Sequence, residues 1–428
     1  MRIAIVSINY APDQTGIAAY TTGLAEYLAA QGHAVRVHTG FPYYPTWRKP
    51  ARDHGALYRR ESLNGVTVSR SYLYVPAHPT PMKRVVHEAS FAASALLGYL
   101  FAQRVDVTIV VSPPLPLGIP LLTAARFKRS RSILHVQDLQ PDAAVNLGML
   151  KAGALTRLLY AIERHTYAVA DYVSSISHGM LEAIRRKGVS REKLVLFRNW
   201  AHNGAIRPLP RMTAYRSQWG LEDKFVVLYA GNLGVKQGLE MLLDAAERLA
   251  AHPDIAFVIV GDGGEKENLV QQAAARGLAR MMFQPLQPFE RLAELLATAD
   301  VSVIPQKEGV RDIVLPSKLG NILASGRPVV VAAHGDSDLA HMMRSSAAGC
   351  CVEPGDSAAM AEALLALRGS PAERERLARN GLELMRSTLS EKAVLGQFAG
   401  FLEELARGGG VVAAPPSAAK AHAPPRNL

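Results

Sequence analysis

Apolar residues fall along this chain in short unbroken runs rather than in alternation. In the first half the runs are Ile3–Ile8, Val35–Thr39, Val66–Ser69, Val107–Val111, Ile133–Val136 and Tyr172–Ile176. In the second they are Phe225–Ala230, Ala256–Val260, Val301–Ile304 and Pro328–Val331. Runs of this length predict strands buried on both faces, as in parallel sheets covered by helices. Helical spacing lies between them. After Gly16, the residues Ile17, Tyr20, Leu24, Tyr27 and Leu28 recur on one face and Gly32 supplies a stop, which predicts a helix over Ile17–Ala30. Leu239–Ala250 and Arg291–Ala299 show similar faces. The pattern predicts two doubly wound α/β domains.

The junction is expected within Asn199–Pro210, where a strand-like run ends at Asn199-Trp200 and Pro208-Leu-Pro210 breaks the pattern. The expected organisation is a first domain over 1–200, a second over 201–390, a helix over 391–407 able to pack back, and a disordered Gly-, Ala- and Pro-rich tail over 408–428. A length of 428 residues favours two cores over one.

Composition narrows the partners. The net charge of +11 is concentrated in residues 1–200, where 24 Lys and Arg face 12 Asp and Glu, a difference of +12. That basic half suits an anionic partner such as nucleic acid, anionic lipid or a diphosphate, or is simply a soluble basic surface. Its charges are dispersed and not interleaved with aromatics, so nucleic acid is not expected. The stretch Ala89–Ala102, preceded by Lys83-Arg84, is too short to span a bilayer, which takes about 20 residues. It reads as a buried inter-domain helix, with lipid contact as the alternative. The two cysteines, Cys350 and Cys351, are adjacent and fit a reducing, cytoplasmic setting.

Open α/β sheets bind ligands at the carboxyl ends of their strands. Three loops there carry candidate chemistry. Asn9–Gly16 leads into the first helix, and Gly16 lets the backbone approach a ligand at a helix start. Gly231-Asn232-Leu-Gly-Val-Lys236 follows a strand, with Lys236 able to neutralise a phosphate, yet it lacks the ending of a Walker loop. Gly261-Asp-Gly263-Gly264 does not complete a dinucleotide fingerprint. Pro316-Ser317-Lys318 opens a short helix closed by Gly326, with Ser317 expected as its N-cap. Lys318 would anchor a diphosphate there, and Asn321 could hydrogen-bond ribose hydroxyls. Asp336-Ser-Asp338 offers two carboxylates, an incomplete set for a metal, and no metal role is assigned.

Taken together, residues 231–240, Val260–Gly263, Ala299–Pro305 and Pro316–Val329 resemble the retaining glycosyltransferases of family four. The segments 9–17 and 39–45 look like the WcaI type of colanic acid biosynthesis within that family, and the resemblance runs from Arg2 to about Leu405. It implies a GT-B fold, two Rossmann-like domains facing a central cleft, with the donor held by the second domain and the acceptor by the first. It also implies transfer from a nucleotide-diphosphate sugar without a metal or other cofactor. GDP-fucose or another GDP- or UDP-sugar is the implied donor. The implied acceptor is a polyprenyl-diphosphate oligosaccharide at the inner face of the plasma membrane, the contact being peripheral.

Carried over by residue, Gly16 lies near the donor phosphates and Lys236 and Lys318 bind them, while Glu240, Pro285 and Leu286 lie near the nucleotide. Asp138, in His135-Val-Gln-Asp138, matches an acceptor-side catalytic position, and His135 reads as a packed histidine. Two positions depart from the family pattern. Of its usual pair of glutamates, the second is Asn321 here and the first is Ile313, beside which Asp312 could reach the sugar. A common arginine is Asn232. The missing pair keeps open a non-catalytic, nucleotide-sugar-binding scaffold.

Overall fold

The computed structural model describes residues 1–13, 16–44, 46–78, 80–146, 153–200, 206–308 and 315–408. Over the described residues the chain divides into two compact units, the first comprising Met1–Asn199 with residues 395–408, the second Trp200–Val394. Asp312 and the tail from residue 409 lie outside the described residues.

The first unit holds strands β1 (Arg2–Val6), β2 (Ala34–Gly40), β3 (Tyr58–Leu63), β4 (Val66–Ser71), β5 (Val107–Ser112), β6 (Arg131–Val136), β7 (Tyr172–Ser175) and β8 (Leu194–Leu196). They form one sheet in the order β3-β4-β2-β1-β5-β6-β7-β8, parallel except for β3 against β4. The second unit holds β9 (Phe225–Ala230), β10 (Ile255–Val260), β11 (Met281–Gln284), β12 (Val301–Ile304), β13 (Val329–Ala332) and β14 (Gly349–Val352), all parallel, in the order β11-β10-β9-β12-β13-β14. Each strand order reverses beside β1 or β9, the crossover that opens a crevice at the carboxyl ends.

Both faces of the inner strands are covered. Along β9, Val226 and Leu228 join one apolar cluster and Phe225, Val227 and Tyr229 another on the opposite face. This double burial is why the inner strands carry unbroken apolar runs. All ten runs read from the sequence are inner strands; of the edge strands, β3 and β14 carry no comparable run, whereas β8 lies in the run Leu194-Val-Leu-Phe197 that leads to the expected junction.

Helix α1 (Ile17–Ala30) buries Ala18, Thr21, Leu24, Ala25 and Leu28, and Gly32, at φ 84°, turns the chain out of it. Helix α2 (Pro81–Leu100) is capped by Thr80 and packs on β2, β4 and the following helix α3 (Gly118–Phe127). Its burial is therefore against its own unit. The opposite side carries exposed Met82, Val85, Val86, Leu97 and Leu100, so the burial expected of Ala89–Ala102 holds for one side of α2 alone.

The C-terminal helix, Glu391–Ala406, closes the first unit. Phe398 stacks on Phe197 with centroids 3.9 Å apart, Phe401 meets Tyr172 edge-on, and Leu402 and Leu405 are buried.

Candidate functional site

At the carboxyl edge of the second sheet the loops continue the strand ladder. Gly231 N donates to Val260 O at 2.9 Å, Leu233 N to Asp262 O at 2.8 Å, and Gly261 N to Gln284 O at 3.1 Å. The loop after β9 is also tied to the segment after β12, since Lys307 N donates to Lys236 O at 3.0 Å. Backbone meets backbone here. A methyl group on Gly261, whose φ is 151°, would come within 1.9 Å of Gly231 O.

Into this edge comes Lys318, the first residue of a short helix, Lys318–Ala324. A methyl group on Gly231 would stand 2.8 Å from Lys318 Nζ, and the ammonium lies 4.0 Å from the Tyr229 ring centroid. Tyr229 is itself buried and donates through its hydroxyl to Asn232 O at 2.6 Å. Burial strips water from the Lys318 ammonium and lowers its pKa to about 8. A cation in such a position favours an incoming anion.

The other second-unit candidates lie around the same edge. Asn321 is half-buried, one turn on from Lys318. Lys236 and Asn232 are exposed on the β9 loop. Pro285 and Leu286 follow β11, with Leu286 exposed to 73%, an apolar surface on which a flat ring could rest. Ser317 departs from expectation. Its backbone is already helical (φ −59°, ψ −25°) and its side chain accepts no capping bond, because the turn starts one residue earlier with Leu319 N donating to Pro316 O. A capping serine needs extended backbone.

In the first unit, Gly16 stands at the N-cap of α1 with φ 59°, and Asp138 is exposed just past β6; both lie at the carboxyl edge of their own sheet. His135 is a core residue. Gln137 Nε2 donates to its Nε2 at 2.9 Å, its Nδ1 faces Ser174 Oγ at 2.9 Å, and burial pushes its pKa down to about 3. Asp336-Ser-Asp338 is the start of the helix Asp338–Ser346, where Ser337 Oγ accepts from Ala340 N.

One cluster at the first sheet's carboxyl edge escaped the sequence reading. Tyr43, Trp47 and His87 pack ring against ring, at 5.2 Å for Tyr43–Trp47 and 4.6 Å for Tyr43–His87, with Arg84 over Trp47. Trp47 sits at φ 53°, a costly conformation for a tryptophan. Asn9 donates to Asp13 and hydrogen-bonds Tyr43, and burial raises the pKa of the Asp13 carboxyl. Glu88, bonded by Gln140, has its pKa raised by burial to about 6. The density of aromatics in Phe41-Pro-Tyr-Tyr-Pro-Thr-Trp47 was the available signal.

With this geometry in view, comparison with known proteins is decisive. Residues 15–200 match the glycosyl transferase 4-like domain and residues 212–384 the glycosyl transferases group 1 family. The chain is 39% identical over 412 residues, 93% of its length and 98% of the relative's, to a protein of Escherichia coli (strain K12) named for colanic acid biosynthesis, the glycosyl transferase WcaI. The chain belongs to the WcaI-like glycosyltransferases. Its fold is GT-B. Sucrose-phosphate synthase from Thermosynechococcus elongatus superposes with a TM-score of 0.67 at 18% identity, covering 95% of this chain and all of that one. Anabaena Alr3699/HepE, solved in complex with UDP, gives 0.66 at 16% identity over 94% of this chain and all of its own.

The glycosyltransferase's loop packing makes a sharp prediction. Gly261→Ala, driven into Gly231 O, should cost about 2 kcal/mol or more and lower nucleotide affinity with it, whereas Gly264→Ala, which meets open space, should leave both unchanged. Thermal unfolding and calorimetric titration with a nucleoside diphosphate read the two effects.

Proposed function

We propose that this glycosyltransferase moves a sugar from a nucleotide-diphosphate donor onto a polyprenyl-diphosphate-linked exopolysaccharide repeat unit, retaining anomeric configuration and without a catalytic metal. The reading places it at the cytoplasmic face of the membrane and takes GDP-fucose as the first donor to try. The colanic acid name of the Escherichia coli relative supports the exopolysaccharide setting.

The observation that carries the reading is the water-poor Lys318 ammonium against Gly231. In the proposed reaction the bond from the anomeric carbon to the donor phosphate breaks, and negative charge grows on the departing diphosphate. A preorganised cation stabilises that charge more than it stabilises the ground state. Lys236 adds to the cradle, Asn321 takes the ribose, and Leu286 carries the base. Asp312 and Gly16 are assigned to the donor as well.

On the acceptor side, Asp138 orients the attacking hydroxyl. Over a packed base of Tyr43, His87 and Asp13, the half-buried Trp47 ring and Glu88 carboxyl provide what a saccharide needs, a flat apolar face and an acceptor for hydroxyls.

Transfer from a panel of nucleotide sugars to a membrane lipid extract tests this. Lys318→Ala should cut turnover about 100-fold or more, and Lys236→Ala less. Nucleoside diphosphate affinity should hold steady below pH 8 and fall above it, because binding favours the protonated amine; Lys318→Met should remove that fall. Transfer unaffected by the loss of either lysine would sink the cradle. Binding with neither transfer nor hydrolysis of any donor would support a scaffold instead. Glu88→Gln should weaken the acceptor, seen as a higher KM, while slow donor hydrolysis persists. In the wild type, acceptor affinity should fall as pH drops through about 6, where Glu88 takes up its proton.

A further inference from the structure

Helix α2 is apolar on two opposite sides, and among the described residues only one of them is covered. Phe91, Ala95 and Tyr99 point inward and are buried. At 100° per residue, Met82, Val85, Val86, Ala89, Ala93, Leu96, Leu97 and Leu100 fall within an outward arc of about 120°. Met82, Val85, Val86, Ala89, Ala93, Leu97 and Leu100 are exposed, and Phe101, just past the helix, is exposed to 90%. The stripe runs for about 30 Å, the length of a 20-residue helix. Phe127, at the end of α3 and 85% exposed, is held at the same end of α2, because Lys128 Nζ donates to Tyr99 O at 2.8 Å and Ala102 O at 2.6 Å. A continuous apolar surface of this extent marks an interaction site.

Charge identifies the partner. Residues 81–131 hold seven Lys and Arg against two acids, Glu88 and Asp106. Glu88 is half-buried toward Gln140, and Asp106 is paired with Arg2. Lys83 stands exposed at one end beside the stripe, and Arg104, Arg126 and Arg129 at the other. We infer that α2 lies in the interface of an anionic bilayer, its outward stripe and Phe101 and Phe127 at the acyl boundary and these cations among the headgroups. This surface is defined without reference to donor or acceptor. It deepens the peripheral placement proposed above, and its test needs no turnover.

The test is co-sedimentation of the complete chain with vesicles of phosphatidylglycerol and phosphatidylethanolamine, against vesicles of phosphatidylcholine alone. The wild type should bind the anionic vesicles and release with added salt. Phe101→Ser with Phe127→Ser should weaken binding by about tenfold or more, and each of Arg126→Gln and Arg129→Gln by roughly fivefold on anionic vesicles only. All variants should keep the wild-type melting temperature and nucleoside diphosphate affinity, which separates a lost surface from a damaged fold. Equal binding to both vesicle types, or variants that bind as the wild type does, would overturn the inference. A wild-type dimer in light scattering that the Phe101→Ser change splits would assign the face to a second copy instead.

Discussion

Backbone approach at the carboxyl edge of the second sheet is the constraint on which the donor side depends. Gly261 lies so close to Gly231 O that it can carry no side chain at the contact. The space this leaves beside Gly231 is taken by the Lys318 ammonium, lying against the Tyr229 ring. A lysine placed this way has given up hydration, and its lowered pKa measures that loss. Binding an anion returns what burial removed. The same contact thus accounts for Gly261 and for the placement of the lysine, and it is the basis of the proposed diphosphate site.

The first unit answers with different chemistry at the equivalent edge. Its loops bring rings and carboxyls together, and the carboxyls of Asp13 and Glu88 have raised pKa values through burial rather than through like-charge repulsion. Arg70, itself buried, fixes this side by donating to Ala11 O at 2.6 Å and to Gly40 O at 3.3 Å, so the loops after β1 and β2 share one anchor. In the proposed reading the lysine site of the second unit serves the donor diphosphate and the aromatic–carboxylate cluster of the first serves the acceptor.

How much of this was legible in the sequence follows from burial. Inner strands bury both faces and announce themselves as apolar runs. Two of the edge strands do not: β3, Tyr-Arg-Arg-Glu-Ser-Leu, has no buried position, and β14, Gly-Cys-Cys-Val, is half-buried throughout. Lys318 and Gly231 could be picked out because glycines and a lone lysine at strand ends have few structural uses. The Ser317 cap could not be judged, since capping turns on one ψ angle that residue type does not set. The cluster of Asp13, Tyr43, Trp47, His87 and Glu88 was hidden because three separate segments supply it. Helix α2 misled for a related reason, since an apolar outward face reads as burial until the neighbours are known.

The most direct test of the account is a crystal structure of the complete chain with a nucleoside diphosphate bound. The account predicts phosphate oxygens within hydrogen-bond distance of Lys318 Nζ, beside Gly231. Phosphates seated anywhere else, with the Lys318 ammonium still unengaged by them, would contradict it.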